Sequence, residues 1–361
     1  MHACVRDTAL ALAAVSTAVT LTACGSGAGN SASGSTRTIG LLLPDSTTPR
    51  WEAQDRPLLE QRIRQLCGEC RIEHADAKGD AAIQQEQMDS SIAHGVDAIV
   101  LAAVDARAVA ASVGRAAAAH IPVIAYDRLA EGPIAGYISF DAEEVGRLQG
   151  QALLTAMGAQ AHGGRIVMMN GDPGDPNALS FKQGALSELR GKVTIAKQYD
   201  TPQWSTETAD LNMAAAISDL GADSINGVYA ANDGLAAGSI AALKADKVSP
   251  LPPVTGQDAE LAAVRRIVGG DQYMTVYKPF GPEAAAGGAM AVAAARGRPL
   301  DEVATGRVKT RSGAEVPAVL LTPVSVTLGT VKNTLVKDGV YTLGQICAPP
   351  LARDCHRAGL T

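Results

Sequence analysis

Short apolar runs alternate with helical patterns along most of this 361-residue chain, and this alternation limits the possible folds more than any other feature. Apolar residues between the runs recur at spacings of three and four, as at Leu59, Ile63 and Leu66, which is typical of a helix face. Alternating buried strands and helices predict parallel sheets with helices on both faces. Nine runs are strand-like: 38–43, 71–74, 98–102, 122–125, 165–169, 193–197, 227–230, 253–256 and 274–277.

Nine strands are too many for one small sheet of this kind, so we expect an α/β fold with two doubly wound parallel-sheet lobes. In open α/β sheets, ligands bind outside the carboxyl ends of the strands. The residues that directly follow each strand are therefore the first candidates for a binding site.

Charged and amide side chains follow six of the predicted strands. A carboxylate accepts hydrogen bonds, Arg and Lys donate them and Asn does both, which suits the hydroxyls of a neutral polyol. A polar residue after one strand is weak evidence, because Asp and Asn are common in turns and helix caps. Asp233 in particular suits a helix cap. Polar residues after six strands together predict a cleft for a hydroxyl-rich ligand. The candidates are Arg50, Asp127, Arg128, Asp175, Asn177, Asn232, Asp258 and Lys278.

The chain has only two tryptophans, Trp51 and Trp204, and 3% aromatic residues in total. Trp51 follows the first strand, and Trp204 lies in the polar loop 199–205. Neither lies in an apolar stretch that would bury it in a core. An indole face suits the apolar C–H face of a sugar ring, so both are candidate ligand contacts. The alternative is a pair of half-exposed packing residues.

The N-terminal residues predict an export leader. The apolar run 9–21 is too short to span a bilayer but has the length of a signal-peptide core. The residues before Cys24 resemble a bacterial lipobox, which implies a signal peptide over 1–23 and a lipid on the Cys24 sulfur. An ordinary cleaved signal with an incidental cysteine is the alternative. The Gly- and Ser-rich residues 24–37 predict a flexible tether.

Four further cysteines, Cys67, Cys70, Cys347 and Cys355, predict two local disulfides in an exported chain. Cys67 and Cys70 have the spacing of a redox CxxC, but that chemistry requires a thiolate at a helix N-terminus. The pair instead follows a predicted helix. A zinc site is disfavoured because Cys347 and Cys355 lack the short spacing of such sites. We expect no metal and no cofactor.

Charge and motifs exclude several classes of function. A net charge of −6 and a pI near 5.6 argue against nucleic-acid binding. The sequence contains no GxxxxGK[ST], HExxH or GxSxG motif, and no glycine-rich turn follows the first strand. Carboxylates held by Arg and Lys stay ionised, which leaves no general acid for glycosidase chemistry. We therefore expect a binding protein and not an enzyme.

The residues that follow the predicted strands resemble those of the periplasmic sugar-binding proteins of bacterial ABC importers. The likeness is greatest to the D-xylose-binding proteins and the lipid-anchored multiple-sugar-binding proteins. The resemblance covers roughly residues 38–340 and implies a type I periplasmic binding protein fold, in which three segments join the lobes. The segments that carry it are 50–51, 123–128, 137–141, 231–234, 256–259 and 274–279.

The resemblance also implies the role of each candidate residue. Trp51 and Trp204 would hold the sugar ring between them, and the polar candidates would bond its hydroxyls. The Thr-Val-Tyr-Lys-Pro sequence at 275–279 favours D-xylose, whereas Leu129 is shared with the multiple-sugar binders. One departure is Pro176, where the family pattern has Asn.

The implied N-terminal lobe comprises residues 38–139 and 281–304, and the implied C-terminal lobe comprises 140–280 and 305–345, followed by a tail at 346–361. The expected function is that of a monomeric lipoprotein on the outer face of the cytoplasmic membrane. It would capture one monosaccharide, D-xylose before others, and deliver it to an ABC transporter permease. Two alternatives stay open: a broader binder of glucose, galactose, arabinose or ribose, and a sensor that feeds a receptor.

Overall fold

The computed structural model describes residues 36–360. The predicted signal peptide, the lipid site at Cys24 and residues 24–35 of the tether lie outside the described part. The strands are β1 (Thr38–Leu43), β2 (Arg71–Asp76), β3 (Ala98–Leu101), β4 (Val123–Tyr126), β5 (Gly136–Phe140), β6 (Arg165–Asn170), β7 (Thr194–Asp200), β8 (Gly227–Ala230), β9 (Met274–Tyr277), β10 (Gly306–Lys309), β11 (Glu315–Leu321) and β12 (Val324–Thr327). The helices are α1 (Arg56–Leu66), α2 (Ala81–His94), α3 (Ala110–Ala118), α4 (Ala142–Met157), α5 (Pro176–Leu189), α6 (Thr206–Leu220), α7 (Asp233–Ala245), α8 (Leu261–Gly269), α9 (Phe280–Ala295), α10 (Leu343–Ile346) and α11 (Ala352–Arg357).

The N-terminal lobe is built on a seven-stranded sheet in the order β10-β11-β5-β4-β3-β1-β2. All neighbours are parallel except β10 and β11, which form an antiparallel pair. Side chains that alternate along β1 enter two different cores: Leu41 packs with Leu59 and Ile63 of α1, and Leu42 packs with Met88 of α2. Helices on both faces therefore bury the strand completely, as its uninterrupted apolar sequence predicts.

The C-terminal lobe is built on the parallel strands β7-β6-β8 and the antiparallel pair β9-β12. Residues 254–256 connect the two sets. Val254 bridges Val228 of β8, and the Val276 N–H of β9 donates to the Gly256 carbonyl at 3.0 Å. The carboxyl ends of β6, β8 and β9 thus lie at one edge of the lobe, where the candidate site residues follow them.

The chain passes between the lobes at three places: between β5 and α4, between β9 and α9, and between β11 and β12. One boundary of the expected lobes is wrong. The resemblance implies that residues 305–345 belong to the C-terminal lobe, but β10 and β11 extend the N-terminal sheet, with Ala318 paired to Tyr137 of β5. Buried Val316, Ala318 and Val319 complete the edge of that sheet, and the chain returns to the other lobe only at β12. This pairing joins residues far apart in sequence, so local patterns do not reveal it.

The expected tail is part of the C-terminal core. Ile346, Cys355 and Leu360 are buried against Val264 and Val268 of α8. Disulfides join Cys347 to Cys355 and Cys67 to Cys70, and the second pair follows the C-terminus of α1. Both predicted pairings are therefore present in the structure.

Among residues 36–360, no helix has both the length and the apolar character required to cross a membrane.

Candidate ligand-binding site

A small cavity lies between the lobes at the carboxyl ends of the strands. The N-terminal lobe contributes the loops after β1 and β4, the C-terminal lobe contributes those after β6, β7 and β8, and the segment after β9 contributes Lys278. Every candidate from the sequence lines this cavity. The lining residues are Thr48, Arg50, Trp51, Asp127, Arg128, Asp175, Asn177, Phe181, Trp204, Asn232, Gln257, Asp258 and Lys278.

Arg50 is the centre of a buried ionic network behind the cavity. Its Nε and Nη2 donate to Asp55 at 2.7 and 2.9 Å, its Nη1 donates to Asp127 at 2.7 Å, and its Nη2 donates to Glu283 at 2.9 Å. Asp55 ends a wide helical turn, Trp51–Asp55, that begins directly after Arg50. Bidentate and charge-assisted bonds of this kind hold a guanidinium in one orientation. Arg50 therefore presents a fixed edge to the cavity.

The two other cations contact carboxylates across the cavity. Lys278 Nζ lies 3.1 Å from Asp127 Oδ2 and 3.3 Å from Asp258 Oδ1. Arg128 Nε lies 2.8 Å from Asp175 Oδ2, a contact that joins the two lobes. The charged side chains that face the cavity are thus largely paired with one another.

The pKa values of the buried carboxyls are shifted in opposite directions from their ordinary values. Burial alone would raise the pKa of Asp127, but Arg50 and Lys278 outweigh burial and lower it below the ordinary value. Burial raises the pKa of Asp175 to about 6, although Arg128 opposes the shift. Burial also raises the pKa of Glu283 well above its ordinary value. The lowered pKa of Asp127 agrees with the expectation that Arg and Lys keep the strand-end carboxylates ionised, whereas the raised pKa of Asp175 goes against it.

Pro176 fits the site despite its departure from the family pattern. It is the first residue of α5, where its missing N–H and its backbone angle suit the helix start. Asp175 caps this helix by accepting from the Asn177 backbone N–H at 2.9 Å. Asn177 Nδ2 then donates to the Asp127 carbonyl at 3.1 Å and to its carboxylate at 3.0 Å. Asp175 and Asn177 thus both reach the opposite lobe, so the lobes are in direct contact.

The two tryptophans differ in their environment. Trp51 is 1% exposed and belongs to the core around α1, so the expectation that it lies outside a core is wrong. Trp51 nevertheless lines the cavity as well as packing in this core, because an indole is large enough to do both. The guanidinium carbons of Arg50 and Arg128 lie 4.4 and 5.4 Å from its ring centroid.

Trp204 is half-buried in the loop after β7 and meets Phe181 edge-on at a centroid distance of 6.4 Å. Gln203 and Trp204 both have left-handed backbone angles, φ 57° and 53°. The tip of the indole lies directly against the backbone of Gly171, where an added Cβ would be 2.1 Å from Trp204 Cη2. Gly171 therefore makes room for the ring in its observed position.

Asn232 lines the cavity as expected, but Asn232 and not Asp233 caps α7. Asn232 Oδ1 caps α7 by accepting from the Leu235 N–H at 2.9 Å, which leaves its Nδ2 as a donor for the cavity. Asp233 is fully buried and does not cap the helix. Its carboxylate accepts from Gln272, Thr275 and the Glu260 backbone N–H at 2.8, 2.9 and 2.9 Å.

These bonds hold the loop after residue 257, in which Asp258 and Ala259 have φ values of 93° and 49°. Left-handed backbone at consecutive non-glycine residues is strained and persists only where the surroundings enforce it. Buried Asp233 supplies that support and directs Asp258 into the cavity.

Sequence reasoning missed three lining residues, Thr48, Phe181 and Gln257. Phe181 was detectable, because it follows Asn177 by one helical turn and so lies on the same face of α5. The supporting carboxyls Asp55 and Glu283 had no such signal. Glu283 in particular meets Arg50 only through a contact that spans 233 positions.

Several polar atoms at the cavity have no hydrogen-bond partner among residues 36–360. They include Trp51 Nε1, Trp204 Nε1 and Gln257 Oε1, whereas Asp258 Oδ1 and Arg128 Nε lie in the ion pairs with Lys278 and Asp175. Buried polar groups are normally hydrogen-bonded, so such atoms indicate a place for a ligand or ordered water. Within the same range, no group of three or more His, Cys, Asp or Glu side chains is arranged to hold a metal ion.

Two α/β lobes with a polar cavity at their facing strand ends form a typical binding site for a small ligand. Residues 39–299 match the model of the periplasmic binding protein domain, and the chain belongs to that family. The architecture is the type I periplasmic binding protein fold. The chain is a solute-binding protein and not an enzyme.

Individual relatives match over most of their length. The chain is 32% identical to the D-xylose-binding periplasmic protein of Escherichia coli over 84% of its own length and 90% of that protein. It is 31% identical to a multiple sugar-binding periplasmic protein of Azospirillum brasilense over 85% and 90% of the two chains. Among solved structures, an ABC transporter solute-binding protein of Clostridium phytofermentans with bound β-D-glucose superposes with a TM-score of 0.79. It has 28% identity, and the match covers 86% of this chain and 100% of that one.

Proposed function

We propose that this chain is the sugar-capturing component of an ABC importer and that its ligand is a single monosaccharide, D-xylose before other aldoses. The observation that carries the proposal is the set of unpartnered polar atoms around a small interlobe cavity with indole walls. A neutral pyranose would offer hydroxyls to these atoms and C–H faces to the rings.

Each lining group has a role in the proposal. Asp127 and Asp258 accept from sugar hydroxyls, Arg128 and Lys278 donate to them, and Asn232 donates through Nδ2. Arg50 fixes the position of Asp127, and Asp175 and Asn177 contribute from the other lobe. Trp51 and Trp204 cover the ring. D-xylose is favoured by the Thr-Val-Tyr-Lys-Pro sequence at 275–279 and by the likeness to the E. coli protein.

Because both lobes contribute contacts, only the closed arrangement makes all of them, and the sugar should favour closure. Capture followed by closure would give a transporter permease a loaded form that differs from the empty one. Membership of a periplasmic family supports export of the chain. A lipid on Cys24, a Gly- and Ser-rich tether and a monomeric body complete the proposal.

A ligand panel tests the function. Purified protein is titrated with D-xylose, L-arabinose, D-ribose, D-glucose and D-galactose while tryptophan fluorescence and melting temperature are followed. Both tryptophans are proposed to contact the ligand, so binding should change the fluorescence, with D-xylose the tightest ligand. If all five sugars leave both signals unchanged, the sugar-binding function is wrong.

Mass spectrometry tests the membrane anchor. The parent protein should carry an acyl mass on an N-terminal Cys24, and Cys24→Ala should appear in the soluble fraction or stay unprocessed. A mature N-terminus at another residue without an acyl mass would refute the anchor and leave the sugar site unaffected.

A further inference from the structure

A second cavity, of about 530 Å³, lies beside the ligand-binding cavity. Thr48, Trp204 and Asn232 line both, so the two spaces meet at these residues. Both lobes line this open cleft, and its volume is within the range typical of small-molecule sites. Besides these shared residues, its polar lining comprises Asp45, Thr47 and Lys78 from the N-terminal lobe and Gln203, Ser205, Thr206, Glu260 and Arg266 from the C-terminal lobe.

Glu260 is the most informative side chain of this second cavity. Within residues 36–360, its carboxyl makes no hydrogen bond and no ion pair, although most of the side chain is buried between the lobes. Burial and the neighbouring carboxyls of Asp233 and Asp258 raise its pKa to about 8. A protonated carboxyl both donates and accepts, as a sugar hydroxyl requires of its partner.

The backbone holds Glu260 in place. Its N–H donates to the buried carboxylate of Asp233 at 2.9 Å, and the strained residues Asp258 and Ala259 precede it. The same short loop thus directs Asp258 into the first cavity and Glu260 to the second.

The side chains at the junction fit a linked ligand. Asn232 uses Oδ1 to cap α7, so Nδ2 is its available donor, and it lines both cavities. Trp204 is also common to both and has an unpartnered Nε1. An aromatic wall with nearby amide and hydroxyl groups is suited to a second sugar ring.

We propose that the second cavity is a subsite for a hydroxylated ring joined to the captured sugar, so that the cleft accepts a disaccharide as well as the free monosaccharide. Glu260 is its main polar contact, and Asn232 stands next to the bond between the rings. This inference rests on the proposed sugar-binding function of the first cavity.

Calorimetric titration of the full chain with D-xylose, methyl β-D-xyloside and xylobiose, and with D-glucose and cellobiose, tests the subsite. At least one disaccharide should bind within about tenfold of its monosaccharide. Glu260→Leu should weaken that disaccharide by about tenfold or more and change the monosaccharide by less than about twofold. Glu260→Gln retains a donor and an acceptor and should stay within about threefold of the parent.

Two further variants keep the result interpretable. Ala262→Trp adds bulk at an exposed lining position of the second cavity and should exclude the disaccharide while monosaccharide binding persists. Glu86→Gln, at an exposed site on α2, is the matched control and should change neither. If the monosaccharides bind but no disaccharide does, or if Glu260→Leu and Ala262→Trp leave disaccharide binding unchanged, the subsite is refuted and the proposed function survives. If no monosaccharide binds, the proposed function itself fails.

Discussion

Gly171→Ala should weaken sugar binding although Gly171 does not line the cavity. The added Cβ would lie 2.1 Å from Trp204 Cη2, 2.4 Å from Cζ2 and 2.5 Å from Cζ3. Carbon atoms in contact are normally about 3.5–4.0 Å apart, so the indole must shift by about 1.5 Å. Overpacking of this kind costs about 1–3 kcal/mol. A loss of about 1–2 kcal/mol in binding corresponds to roughly 5- to 30-fold in affinity.

Titration calorimetry on four proteins measures this effect: the parent, Gly171→Ala, Trp204→Leu and the double variant. Trp204→Leu removes the atoms that clash, so Gly171→Ala should cost little further affinity in that background. Gly281→Ala is the control, because a Cβ there has no atom within 4 Å. Thermal melts report whether each variant folds. If folded Gly171→Ala binds as tightly as the parent, or if the two losses simply add, Gly171 does not position Trp204.

Three other changes test the site and its surroundings. Asp258→Asn should weaken sugar binding by about tenfold or more with little change in melting temperature, because it removes a charge-assisted acceptor; parent-like affinity in calorimetry would exclude Asp258 as a ligand contact. Burial in the closed form raises the pKa of Asp175 from 3.8 to about 6, so closure takes up a proton. The Asp175 contribution to affinity should be complete below about pH 4 and lost as the pH rises through about 6. The parent should show this pH dependence and Asp175→Asn should lack it, and identical profiles would contradict the assignment. Reduction of Cys67–Cys70 and Cys347–Cys355 should lower the free energy of unfolding by about 1–3 kcal/mol, measured by thermal melts, and keep sugar affinity within about twofold; a large loss of affinity would place a disulfide in the binding mechanism.

The sequence predicted the fold class and where to look for the site. Strand and helix periods are local, so the alternating pattern indicated two parallel α/β lobes, and the strand-end rule selected residues such as Arg128, Asn232 and Asp258. The structure brings all of these to one cavity. The Cys67–Cys70 pairing was also predictable, because closely spaced cysteines in an exported chain favour a local disulfide.

Predictions were wrong where the local sequence is compatible with more than one tertiary environment. Asp233 is a residue type that often caps helices, yet Asn232 caps α7. Asp233 is instead buried beneath the loop that contains Glu260. Trp51 follows polar residues in the sequence, yet its side chain is buried in the hydrophobic core against α1. In each case the residue type allows two environments, and only the packing of distant elements selects one.

The sequence by itself determined the alternation of elements, the chemistry available at each strand end and the two cysteine pairs, because these depend on neighbouring residues. Tertiary structure alone decided that β11 completes the N-terminal sheet, that Glu283 contacts Arg50 and that Gly171 lies under Trp204. Such contacts join positions separated by tens to hundreds of residues. Their formation depends on how both lobes pack, which no local pattern encodes.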